Sequence, residues 1–284
     1  MDYRTILVHV NETARAEAPI RLAIALAERC GAHLIGLGTS GISRSLYPSL
    51  PPEQNDPTLA LHLGFLREQA QAALAAFSGL CGAARLASFE ARLVDDEAAA
   101  GISLHARTAD LTVLSQADPQ RGSLENLAAE VVLQAGRPVL LLPFATPVSE
   151  PGQRVLVAWD ASREAARALQ AALPLLRKAR QVHVAVIDTL PPSHTSTDAR
   201  CADPLPYLGR HGIAATMAVR AVDLRHAPQR RHAVGAALLS LASDLSADLL
   251  VMGAYAHSRM RETLLGGVTR TVFETMTIPV LMTH

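Results

Sequence analysis

The stretch Gly253–Gly267 reads GAYAHSRMRETLLGG and follows the apolar run ADLLVM, so glycines, basic side chains and hydroxyls gather where a strand is expected to end. That combination suits an anion. Backbone N–H groups at a helix N-terminus point outward, the helix dipole adds partial positive charge, and glycine lets a phosphate approach them. Gly253 is expected to let the chain leave the strand with unusual dihedrals, and Gly266 and Gly267 to bare the backbone ahead of VTRTVFETM. His257, Ser258, Arg259 and Arg261 would add donors. The same glycines would equally serve a plain turn, and the spacing is neither GxGxxG nor GxxxxGK[ST]. Other constellations point less far. His194, Cys201 and His211 fit no zinc spacing, no GxSxG elbow accompanies the serines and histidines, and Asp95, Asp96 and Glu97 read as the solvated start of a helix.

The elements that must position this loop are written twice. TILVHVNETARA near the start matches RVLVAWDASREA from Arg154, and each is followed by an Ala- and Leu-rich segment with apolar residues three and four apart. Second, third and fourth strands follow in both copies: HLIGLGTS and QVHVAVID, FEARLVDD and MAVRAVDL, ADLTVLSQ and ADLLVMGA. RPVLLLP and IPVLMTH close the halves as fifth strands. Parallel crossovers need helices, so strands spaced in this way predict two tandem α/β domains, each a five-stranded parallel sheet flanked by helices. Pro143, Pro147, Pro151 and Gly152 place the join near residue 150, giving domains 1–148 and 149–284. SRSLYPSLPPEQNDP and LPPSHTSTDARCADPLPY are expected to be long surface loops, and Trp159 a core or pocket-wall residue. Asp160 has two open roles, capping the helix that follows it or meeting a ligand.

Composition limits the partners. Lys plus Arg equals Asp plus Glu at 26 each, so no net field draws the chain to nucleic acid or to a membrane surface. Three cysteines without CxxC spacing favour reduced thiols, and no apolar run approaches a membrane span or a leader, so a cytoplasmic protein is expected.

The layout GxxA, nine residues, then Gly266, Gly267, Val268 and Thr269, with IPVL near the chain end, resembles the C-terminal signature of the universal stress protein family. ILVHVNET and VLVAWDAS resemble the family's first strand and acidic turn, so the resemblance covers both halves. It implies two Rossmann-like domains of the adenine nucleotide alpha hydrolase type, paired through their last strands as an intramolecular pseudo-dimer. It also implies an adenine nucleotide, ATP or another, with or without Mg2+. By position Ala158, Asp160 and Val186 would frame adenine and ribose, while Gly253, Ala256, His257, Ser258, Arg259, Gly266, Gly267, Val268 and Thr269 would face the phosphates. Two departures stand out: Ala256 replaces the family's second glycine and Gly267 its hydroxyl residue. The first half departs further, with Asn11, Ser115 and Asp118 where the second has Asp160, Gly253 and Ala256, so its site is expected to be lost. The expectation is a nucleotide-responsive stress-associated protein with at most weak ATP hydrolysis. Its rival is a structural or interaction protein whose sites have both decayed, and a homodimer of chains is left open.

Overall fold

In the computed structural model, residues 2–11, 17–41, 57–116, 125–144, 151–190, 202–225, 230–254 and 266–284 are described. They divide into two compact units, Met1–Arg137 and Pro138–His284.

The first unit opens with β1 (Thr5–His9), α1 (Glu17–Cys30) and β2 (His33–Thr39). It continues with α2 (Pro57–Ala83), β3 (Phe89–Val94), α3 (Ala98–Ala106), β4 (Leu111–Ser115) and α4 (Glu125–Gln134). Strand order is β3-β2-β1-β4 and every pair is parallel. Near-continuous apolar strands result, because helices cover both faces. Ile6, Leu7, Val8, Leu34, Leu37, Leu111 and Val113 are all completely buried or nearly so. The glycines of HLIGLGT have a packing cause: a Cβ at Gly36 would lie 2.6 Å from the Phe77 ring, and one at Gly38 3.0 Å from Leu74. Leu74 and Phe77 are three apart on one face of α2, and the bare backbone of β2 lets that face settle onto it. The 27-residue helix α2 ends the first expected surface loop at Pro57; residues 42–56 lie outside the described residues.

The second unit begins with β5 (Val139–Leu142), followed by β6 (Arg154–Ala158), α5 (Arg163–Leu176) and β7 (Gln181–Leu190). Then come α6 (Leu205–Arg210), β8 (Thr216–Asp223), α7 (Arg230–Asp244), β9 (Leu249–Gly253), α8 (Gly267–Thr275) and β10 (Val280–Thr283). Its order is β5-β10-β9-β6-β7-β8. The five strands from β10 to β8 run parallel, and β5 alone is antiparallel, pairing Val280 with Leu141 and Met282 with Val139. The fifth strand of the first repeat is thus grouped with the second compact unit, which starts at Pro138. Part of the second expected loop is helical, since Leu205–Tyr207 open α6, while residues 191–201 lie outside the described residues.

A carboxylate anchors the first strand of each repeat. Asp110 Oδ2 accepts from the N–H groups of Arg4 and Thr5, at 2.7 and 2.9 Å. Asp248 accepts from Gly152 at 2.7 Å, Gln153 at 3.1 Å and Arg154 at 3.0 Å, and Gly152 reaches this position with φ +97. The repeated ADL of the fourth strands thus ties down the chain entering β1 and β6, where strand-end N–H groups would otherwise lack acceptors.

Candidate functional site

In the second unit the chain runs β6 to β7 to β8 in one direction, then crosses to β9 and β10 on the other side of β6. That reversal is a topological switch point, where open parallel sheets form a crevice beyond their strand C-termini. Val157 pairs with Val251 and Ala158 with Ala185, so Trp159 and Gly253 stand level where β6 and β9 end. The Trp159 N–H donates to the Ala185 carbonyl at 2.9 Å and its indole N–H to the Ala202 carbonyl at 2.8 Å, so this residue is the wall of the β6 turn and not a core residue. Ala158 and Asp160 are half-buried there, and Val186 is buried at 2% exposure.

The turn from β6 into α5 closes on itself. Asp160 Oδ1 accepts from the Ser162 N–H at 3.0 Å, Ala161 takes φ +60, and Ser162, the N-cap, accepts from the Ala165 N–H at 3.1 Å. Asp160 therefore shapes the turn and leaves the capping of α5 to Ser162, with Oδ2 remaining for a ligand. A left-handed alanine costs roughly 1 kcal/mol. The strained residue of this crevice that the structure describes is thus Ala161.

Gly253 differs from the expectation. Its φ is not positive; a Cβ there would lie 2.5 Å from the Ala165 nitrogen and 2.6 Å from the Glu164 carbonyl carbon. The glycine is needed because the first turn of α5 rests on the end of β9. Thr283 supports the same contact by donating to the Glu164 carbonyl at 3.1 Å, and the Ala254 N–H donates to the Thr283 carbonyl at 2.8 Å.

At α8 the opposite holds. Gly266 is its N-cap at φ −62, ψ 141, and among the described residues no side chain caps the helix and a Cβ at Gly266 would meet nothing within 4 Å. The first intrahelical bond runs from the Arg270 N–H to the Gly266 carbonyl at 2.8 Å, so the N–H groups of Gly267 and Val268 have no acceptor within the helix. Gly266, Gly267 and Val268 are half-buried and Thr269 is buried. This donor set suits a phosphate. Ala256, His257, Ser258 and Arg259 lie outside the described residues.

The first unit repeats the switch point between β1 and β4 with different chemistry. His9 brings an imidazole to the position of Ala158, and burial pushes it down to about 4. Asn11 and Ser115 are half-buried, and Asp118 lies outside the described residues. Among the described residues, no three His, Cys, Asp or Glu side chains gather as a metal site, and no helix is long and apolar enough to cross a membrane. His194 and Cys201 lie outside them.

Two tandem α/β units, each with a topological switch point, define a class of fold, and known proteins share it. Residues 152–284 match the model of the Universal stress protein family, and this second half is a universal stress protein domain. The whole chain has the fold of a universal stress protein from Archaeoglobus fulgidus DSM 4304, at 16% identity and TM-score 0.70, covering 98% of this chain and 95% of that one. A protein from Pseudomonas aeruginosa UCBPP-PA14 is similar at 17% identity and TM-score 0.58, with 99% and 93% covered. No curated protein matches the sequence.

Proposed function

We propose that this chain binds one adenine nucleotide, ATP or another, at the switch point of its second unit, and acts as a stress-associated cytoplasmic sensor or signalling module with at most weak ATP hydrolysis. The observation that carries this is the contrast between two neighbouring helix starts. Ser162 caps α5 by accepting from the Ala165 N–H, and Asp160 closes the turn before it, whereas α8 starts at Gly266 with no side-chain cap and no atom within 4 Å of its Cβ direction among the described residues. Ala158 and Val186 would border adenine, Asp160 Oδ2 would take a ribose hydroxyl, and the turn from Gly266 to Thr269 would take phosphates, with Gly253 holding the floor beneath them. His257, Ser258 and Arg259 would contribute donors from the loop.

One observation favours a second reading, an interaction protein whose sites have decayed: Gly267 stands where the resemblance calls for a hydroxyl, which removes a charge-assisted bond worth about 1.5–3 kcal/mol. Nucleotide released on denaturing the purified chain, followed by calorimetric titration with ATP, separates the two. Ala256→Gly is expected to tighten ATP binding about fivefold if that position requires positive φ. Failure of both wild type and Ala256→Gly to bind ATP, ADP or AMP at millimolar concentration would give the second reading the lead.

A further inference from the structure

The fourth strands of the two repeats align through Asp110 and Asp248, and the preceding helices end in step, α3 at Ala106 and α7 at Asp244. Their starts differ. α7 has fifteen residues against nine in α3, so the second unit adds Arg230–Gly235, about 9 Å of helix, on the side of the sheet where strands end. That extra segment carries two residues three apart, His232 and Gly235, and both meet Thr271 of α8. A Cβ at Gly235 would lie 2.8 Å from Thr271 Cβ, so the helices cross there at backbone distance. His232 Nδ1 lies 2.8 Å from Thr271 Oγ1, which in turn lies 2.8 Å from the carbonyl oxygen of Gly267, the first residue of α8.

Hydrogen-bond inventory fixes the directions. A hydroxyl has one proton, and Thr271 directs it into the Gly267 carbonyl one turn back. The short contact to His232 then requires Nδ1–H to donate, leaving Nε2 as the bare nitrogen. We infer that His232 is a positioning residue: through Thr271 it holds the Gly267 peptide, and so sets the direction of the N–H groups at the start of α8. This rests on the phosphate reading of that turn. Nothing in the nine residues of α3 repeats the arrangement, which confines it to the second unit.

The test uses the full-length chain. With 15N-labelled histidine at neutral pH, His232 should show the Nδ1–H tautomer; a spectrum of the Nε2–H tautomer would overturn the inference. Amide hydrogen exchange without nucleotide should quicken about fivefold at Arg270–Val272 in His232→Gln and in Thr271→Val. His232→Asn, whose amide nitrogen falls near the place of Nδ1, should restore wild-type exchange, a rescue that loss of packing alone would not give. Unchanged exchange in His232→Gln and Thr271→Val would sink the idea. In the same variants, ATP affinity should fall about fivefold for Gln and stay within about twofold for Asn. If wild type shows the tautomer and the exchange pattern but no ATP binding, the hold on α8 stands and the nucleotide reading falls.

Discussion

Glycines at the ends of the 253–267 stretch do opposite jobs, and substitution separates them. Gly253→Ala drives a methyl into the backbone of α5 at 2.5 Å, which no rotamer can relieve, and should cost about 3 kcal/mol in urea unfolding. A glycine kept only for its dihedrals would cost nearer 1 kcal/mol. Gly266→Ala meets open space at φ −62 and should change stability by less than about 1 kcal/mol, yet it places a methyl where phosphate would approach and should weaken ATP binding. Equal stability losses in the two variants would show that both glycines are structural. His9 gives a second residue-scale expectation. Its folded-state imidazole titrates at about 4 because burial disfavours the cation, whereas the unfolded one titrates near 6.5. The unfolded chain therefore binds the proton first as pH falls, so this contribution to stability is present above about pH 6.5 and is lost toward pH 4. Between pH 7 and 5 wild type should lose about 2 kcal/mol that His9→Leu does not lose, measured as the difference in urea unfolding free energy.

At the scale of elements, the paired aspartates are the test of what ties strand to strand. Asp248→Ala removes three bonds to backbone N–H groups and Asp110→Ala two, so the first should cost more, about 2–3 kcal/mol against about 1–2, by urea unfolding. Equal or negligible losses would show that water replaces them. All ten strands among the described residues were legible, because parallel strands covered on both faces are short apolar runs bounded by turns, as TILVH and LLVMG are. Gly253 and Gly266 stood out as glycines flanking a basic, hydroxyl-bearing loop after a strand, and Asp160 as the acidic residue of the repeated turn after the first strand. What stayed hidden depends on contacts distant in sequence. Nothing near Gly253 announces that Glu164 and Ala165 will rest on it, and nothing near His232 announces Thr271, 39 residues later. The HxxG spacing of His232 and Gly235 was the available signal, but it gains meaning only when α8 lies across it. The join near residue 150 and the division of the compact units are different quantities: prolines mark where regular structure lapses, while the units follow contacts among distant elements.

For the whole molecule, duplication supplies two switch points, and the chemistry around them should give one nucleotide per chain. Both units place their first strand beside their fourth, so the backbone architecture alone would permit two sites. Side chains and helix lengths break the equivalence. His9 fills the position of Ala158 with a neutral imidazole, Asn11 replaces the carboxylate of Asp160, and Ser115 replaces Gly253. α4 opens with Glu125 where α8 opens with Gly267, and α3 lacks the turn that carries His232. On the proposed nucleotide reading, each difference would remove either a contact to the nucleoside or support for the phosphates. Titration of the full chain with ATP should accordingly saturate at one equivalent, and Asp160→Asn, which copies Asn11, should weaken that single event by about tenfold as one charge-assisted bond is lost. Bound ATP should slow amide exchange at Gly266–Arg270 and leave the turn after β1 unchanged. Saturation at two equivalents, or protection confined to the first unit, would show that the imidazole and the amide of the first unit are ligand groups in their own right.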